Sequence, residues 1–187
     1  MPQQVPKLID IDQTGFIKGR FISENFVFAT ELVQCCYKRK APTVVIKLDF
    51  AKAFDSVNWE SLDAVLQARG FPRLWRSWMQ QLLASSRSAV MVNGILGPWI
   101  RCRRGLRQGD ALSPYLFLLV ADVLQRLIKA DDNIRHPLME GSCPILQYAD
   151  DTIILIRGDP GDAARLKHTL DLFSAATGLT INFDRNT

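Results

Sequence analysis

Histidine is scarce in this chain, two among 187 residues, and its four cysteines never fall into a C-x-x-C spacing. Cys35 and Cys36 are neighbours, Cys102 and Cys143 stand apart, and His136 and His168 complete no zinc-ligand pattern with them. A structural zinc site, which gathers four such ligands at short spacings, is therefore excluded. Adjacent cysteines cannot easily bridge each other, so the thiols are expected to be reduced and the compartment intracellular. Long apolar runs are also missing: Tyr115–Leu124 is the longest, and Asp122 interrupts it. Such a run is too short to span a bilayer. Met1–Asp12 has no apolar core, so no secretory leader is expected and no contact with a membrane. Charge of one sign is not in great excess, with 23 Lys+Arg against 19 Asp+Glu and a net charge of +4. That balance permits contact with a phosphate backbone but does not mark a dedicated nucleic-acid binder. No internal repeat, low-complexity tract or linker divides the chain.

Hydrophobic residues make up 48% of the sequence, enough for one domain with a real core. Apolar positions recur with a helical period over Ile22–Lys38, and Ala41-Pro42 ends that run before a strand at Thr43–Leu48. Trp59–Ala68 and Pro72–Ala84 read as helices, the second with Trp75, Trp78, Met79 and Leu82 on one face. Val90–Val92 followed by Asn93-Gly94 predicts a hairpin returning through Trp99 and Ile100 to Cys102. Ser113-Pro114 is expected to cap a long apolar helix over Tyr115–Lys129. A second hairpin over Ile145–Ile156, a helix from about Gly161 to Ala176 and a last strand in LTINF complete the pattern. The order predicts an α+β fold, an antiparallel sheet covered by helices on one face.

Two acidic spots carry most of the chemistry. Asp49 closes the apolar run VVIKLD, and Asp150-Asp151 lies between ILQYA and TIILI. Each sits where a buried strand runs out, so its charge can be presented to solvent rather than buried. Brought side by side in one sheet, the two spots would bind hard divalent cations. Turn formation is the plainer reading of two aspartates at a hairpin tip. Against it, a tight two-residue turn favours Asn-Gly or Asp-Gly, and here the glycine is missing.

Three blocks together, LDFAKAFDSVNW, RGLRQGDALSPYLF and QYADD, resemble the polymerase core of reverse transcriptases, most closely the non-LTR, LINE-like retrotransposon type. QTGFIKGRFISEN near the start and GLTINF near the end look like two further segments of that family, so the likeness reaches nearly end to end. It implies a polymerase palm-like fold over about residues 43–187 and a fingers-like segment over about 1–42. Upstream fingers, thumb and endonuclease are expected to be missing, and both ends read as cut from a longer protein.

The resemblance implies RNA-directed DNA synthesis on an RNA template from a DNA primer and deoxynucleoside triphosphates. Asp49 and Asp150 would hold two Mg²⁺ ions, or Mn²⁺ as the alternative, about 3.5–4 Å apart. The backbone carbonyl of Phe50 would be a further ligand and Asp151 would assist. Phe54 matches the bulky ring that excludes a ribose 2′-hydroxyl; packing in a core is its other reading. Gln108, with Gly109 allowing close backbone approach, matches the residue that meets the incoming nucleotide. Arg101, Arg103, Arg104 and Arg107 concentrate charge for phosphates, or form merely a solvated basic loop, and Tyr148 stands beside the carboxylates. Arg185 occupies about the place of a family lysine that would protonate pyrophosphate, a role a guanidinium fills poorly.

Three rivals stay open. An RNA-dependent RNA polymerase shares the palm carboxylates, with Phe54 against it. A Mg²⁺-dependent nuclease lacks an evident base. A non-catalytic nucleic-acid-binding or structural remnant would fold without holding primer and triphosphate together.

Overall fold

A computed structural model describes residues 5–182, and Arg185 lies outside them. The elements in chain order are α1 (Val5–Leu8), α2 (Ile22–Lys38), β1 (Thr43–Leu48), α3 (Ala53–Ser56), α4 (Trp59–Ala68), α5 (Arg73–Ala84), β2 (Arg87–Ser88), β3 (Met91–Val92), β4 (Ile95–Leu96), β5 (Ile100–Arg101), α6 (Ser113–Lys129), β6 (Ile145–Tyr148), β7 (Asp151–Arg157) and α7 (Pro160–Thr177). The main sheet is antiparallel, ordered β1-β7-β6, with Leu48 opposite Thr152 and Tyr148 opposite Asp151. The α+β expectation holds, and α2, β1 and α4 end where their periodicity and caps predict.

Helix α6 is the spine of the core. Every residue from Leu116 to Asp122 is buried, together with Leu124 and Ile128, as expected of a helix apolar on nearly all sides. Ile46, Leu48, Ile145, Ile154 and Ile156 of the sheet join it in one apolar cluster with Leu166, Leu170 and Phe173 of α7. Asp122 is the one charge on this helix that is fully buried, and it is paired. It accepts from the Asp10 amide at 2.6 Å and Arg126 Nε at 2.7 Å, and also from Arg69. Buried charges persist only with such partners. These bonds anchor the segment before α2 onto α6.

Several expectations change in tertiary context. Ser113 is not the cap: Leu112 precedes the helix, Ser113 is its first residue and is buried, and Pro114 follows. The hairpin after Asn93-Gly94 is only two pairs long, β3 with β4; beyond Gly97-Pro98 the chain pairs instead with β2, Ile100 facing Ser88 and Arg101 facing Arg87. LTINF contributes one antiparallel bridge, Ile181 with Phe50, among the described residues. On α5, Met79 is buried as predicted while Trp78 is 54% exposed. No helix among the described residues is long and apolar enough to cross a membrane.

The cysteines are unbridged. Cys36 is buried and its sulfur lies 3.4 Å from Nε2 of His136, itself buried. Nδ1 of His136 accepts the Leu138 amide at 3.2 Å, so the ring is held neutral with its proton on Nε2. Burial lowers the His136 pKa from 6.5. The folded state therefore binds fewer protons than the unfolded one below that value. Its contribution to stability is complete above about pH 6.5 and is lost as pH falls toward the lower folded value. The melting temperature is expected to drop between pH 7 and pH 5, and His136→Gln to flatten that slope; parallel slopes would show that His136 is not the group responsible.

Candidate active site

The acidic residues of the site come together through strand register. The β1–β7 ladder ends at the Leu48–Thr152 pair, with Asp49 the next residue on one strand and Asp150-Asp151 the two that precede Thr152 on the other. Adjacent strands lie about 4.8 Å apart, so the acidic spots, a hundred residues apart in sequence, share one end of the sheet. Asp49 and Asp150 are half-buried. The chain beyond Asp49 is held by α7's trailing segment: the Asn182 amide donates to the Asp49 carbonyl at 2.8 Å, and the Ala51 amide to the Thr180 carbonyl at 2.9 Å. These bonds flank Phe50, so pairing with Ile181 does not consume its carbonyl.

The hairpin tip differs from the sequence expectation. Its two turn residues are Ala149 and Asp150; Asp151 is already the first residue of β7. The turn demands a positive φ at its first position, where II′ turns usually carry glycine, and here Ala149 supplies it at 56°. Asp151 points to the exposed side, with Lys47 Nζ 3.5 Å from its carboxylate. Among the described aspartates, Asp49, Asp132 and Asp150 alone have a carboxylate that takes no hydrogen bond or ion pair from the described residues, and Asp132 is on an exposed loop. Two half-buried carboxylates that no described residue neutralises make a donor set suited to a hard cation. Among the described residues no three or more His, Cys, Asp and Glu gather into a group that could hold a metal ion, so the two carboxylates stand as a pair.

A second feature is a cavity whose lining includes neither Asp49 nor Asp150. Phe54, in the single-turn helix α3, stacks on Phe117 with ring centroids 4.7 Å apart and planes at 17°. Its remaining surface lines a cavity of about 380 Å³ together with Phe16, Gln108, Gly109 and Asp110. The ring thus packs on the core and also presents a face to a cavity. The loop carrying Gln108 is stitched to the segment carrying Phe54. Leu106 N donates to the Phe54 carbonyl at 2.7 Å, Gly105 N to the Val57 carbonyl at 2.8 Å, and Trp59 Nε1 to the Gly105 carbonyl at 2.7 Å. Gly105 sits at φ 86°, and a Cβ there would stand 2.7 Å from the Asp55 carbonyl oxygen, so only glycine fits. Gln108 itself donates to Asp55 at 3.2 Å.

The four arginines separate. Arg103 and Arg104 line an open cleft of about 1000 Å³ with Arg87, Trp99, Asp55 and Gln108. Arg101 lies outside that lining, on the β2–β5 ladder. Arg107 borders the cleft, but its guanidinium donates to Ser86 Oγ and Ser85 Oγ, each at 2.8 Å, and to the Leu82 carbonyl at 3.1 Å. It braces the end of α5. Tyr148 is 39% exposed and, with Lys47 and Asp151, lines a groove against Asn25 and Phe26 of α2. Three residues that sequence reasoning passes over stand in this site: Phe16 across the cavity from Phe54, Asp55 under Gln108, and Arg87 in the basic cleft. Asp55 and Phe16 lie inside the blocks that carry the family resemblance, whereas nothing local marks Arg87.

Known proteins share sequence and fold with this chain. Residues 2–185 match the family model described as reverse transcriptase (RNA-dependent DNA polymerase). The Pol polyprotein of the type-1 retrotransposable element R2 of Nasonia vitripennis is 32% identical over 85% of this chain, which corresponds to 15% of that protein. That of R2DM from Drosophila melanogaster is 28% identical over 94% of this chain and 16% of its own length. The chain thus spans about a sixth of these relatives. Among solved structures, apo telomerase from Candida tropicalis superposes with a TM-score of 0.65 at 12% identity, over 100% of this chain and 34% of that one, a likeness of fold. By sequence, the chain belongs to the reverse transcriptase family and resembles the reverse transcriptase region of non-LTR retrotransposon Pol proteins.

Proposed function

We propose that this chain is the polymerase core of a non-LTR retroelement reverse transcriptase, with a fingers-like part up to about residue 42 and a palm-like part beyond it. The observation that supports the reading most is the pair of half-buried carboxylates, Asp49 and Asp150, at one sheet end, neither of them bonded by any described residue. Asp49 and Asp150, with the Phe50 carbonyl, would hold the divalent ions. When bound, such ions lower the pKa of a primer 3′-hydroxyl and neutralise charge on the leaving pyrophosphate.

The chain's own residues do the rest. Phe54, braced by Phe117, forms a rigid floor for the sugar and leaves no space for a 2′-hydroxyl. Gln108 is held over the same cavity by the stitched loop, where its carboxamide meets the incoming deoxynucleotide. Arg103, Arg104 and Arg87 face the open cleft and set phosphates of template or primer strand there by charge and by their planar donor forks. Asp151 is tied to Lys47 and assists from the rim. Arg185 belongs to the same proposal as a charge partner for pyrophosphate rather than as its proton donor.

Primer extension by the purified chain on an RNA template, with Mg²⁺ and deoxy- or ribonucleotides, tests this reading. Extension with deoxynucleotides supports it; none from folded protein would favour a non-catalytic nucleic-acid-binding segment. Phe54→Val is expected to raise ribonucleotide incorporation roughly tenfold or more, the scale of discrimination that packing against one small group provides. Unchanged sugar selectivity in that variant would return Phe54 to a purely structural role.

A further inference from the structure

The turn that presents Asp150 is gripped from outside the hairpin. Gln13 is fully buried, and its carboxamide spans Ala149 from end to end. Nε2 donates to the Ala149 carbonyl at 3.1 Å, while Oε1 accepts from the Ala149 amide at 2.8 Å and from the Gly15 amide at 2.9 Å. The orientation is fixed by chemistry, because the flipped amide would aim its NH₂ at two N–H donors. The backbone reinforces the grip. Thr14 N donates to the Gln147 carbonyl and Gln147 N to the Asp12 carbonyl, both at 2.9 Å, so residues 12–14 lie along β6 as a short parallel partner. A Cβ on Gly15 would meet Ala149 N at 2.3 Å.

Ala149 is the residue that needs holding. At φ 56° it occupies a left-handed conformation that a residue with a Cβ keeps only where its surroundings impose it. The residue immediately after it is Asp150.

We propose that Gln13 is a positioning residue for the candidate cation site: its carboxamide fixes the left-handed Ala149 and thereby the aim of the Asp150 carboxylate. The proposal rests on the reading of Asp49 and Asp150 as cation ligands. It makes the segment before α2, itself gathered by Arg20 onto the carbonyls of Pro6, Ile9 and Gln13, part of the catalytic end of the sheet.

Two readouts on the purified chain test it: amide hydrogen exchange by NMR, and Mn²⁺ affinity from paramagnetic relaxation. Gln13→Leu is expected to speed exchange at Ala149 at least tenfold, with the mid-sheet Ile154 amide unmoved. Mn²⁺ binding should weaken about tenfold, the scale of losing a group that orients a metal ligand. Gln125→Leu is the control. It removes a buried carboxamide that bonds Gln147 at 2.9 Å without touching Ala149, and should leave both readouts unchanged. Unaltered Ala149 exchange in Gln13→Leu overturns the proposal, as does faster exchange with unaltered Mn²⁺ affinity. A chain that binds no Mn²⁺ even unaltered sinks the cation reading itself, and the proposal with it. Should Gln13→Leu not fold, Gln13→Glu sets an oxygen against the Ala149 carbonyl; weakened Mn²⁺ binding with mid-sheet amides intact supports the proposal, and unchanged affinity overturns it.

Discussion

Asp150→Asn is expected to remove metal-dependent primer extension while leaving the fold as stable as before. The loss should exceed the roughly 10–100-fold that removal of an outer-shell group costs, because the proposed direct ligand loses its charge. Stability should stay within about 0.5 kcal/mol of the unaltered chain, or rise, since the Asp150 carboxylate takes no bond from the described residues and its charge is half-buried. Asp49→Asn should behave alike. Asp151→Asn should cost less activity, because that carboxylate is exposed and 3.5 Å from Lys47 rather than open to a cation. Extension assays and chemical denaturation on the three variants check the set. Full activity in Asp150→Asn would remove this end of the sheet as the reaction centre; equal losses at all three positions would give Asp151 the rank of a ligand.

Phe117→Ala is expected to cost about 3–5 kcal/mol of stability, the range for deleting a fully buried phenylalanine. The ring is 0% exposed, sits within the buried run of α6 and stacks on Phe54 at 4.7 Å. In a chain of this size that corresponds to a melting temperature roughly 6–20 °C lower. Trp78→Ala on the exposed side of α5 should change stability far less, although tryptophan is the larger residue, because 54% of it already meets solvent. Thermal and urea unfolding of both variants provide the comparison. A loss under about 1 kcal/mol for Phe117→Ala would mean that the neighbouring side chains collapse into the space it leaves. Phe117 also joins stability to specificity. Without its partner, Phe54 loses the face that keeps its ring flat under the cavity, so sugar discrimination should weaken in the same variant.

Much of this site is legible in the residues alone. Strand β1 with Asp49 at its end, and the hairpin carrying Asp150, follow from apolar runs closed by carboxylates. The roles expected of Phe54 and Gln108 come from the blocks around them, and the fold puts both on one cavity. The basic loop is less legible. Four arginines close in sequence look equivalent, yet Arg107 is spent on Ser85, Ser86 and Leu82 while Arg103 and Arg104 face the cleft. Which way a guanidinium turns depends on acceptors twenty or more residues away, and no local pattern encodes them.

What is local follows from residue order. Period, caps and breakers delimit α2, β1 and α4, and the 3.6- and 2-residue repeats decide which side chains face the core. What depends on distant partners is settled by the fold. Strand order β1-β7-β6 brings Asp49 and Asp151 to the same end of the sheet. Register makes Ala149, not Asp151, the other turn residue, and pairing with β2 breaks the long hairpin expected after Val90. The reason is the same in each case. A strand end or a buried carboxamide is satisfied by whichever backbone group the fold brings to it, as Gln13 is by Ala149, 136 positions away.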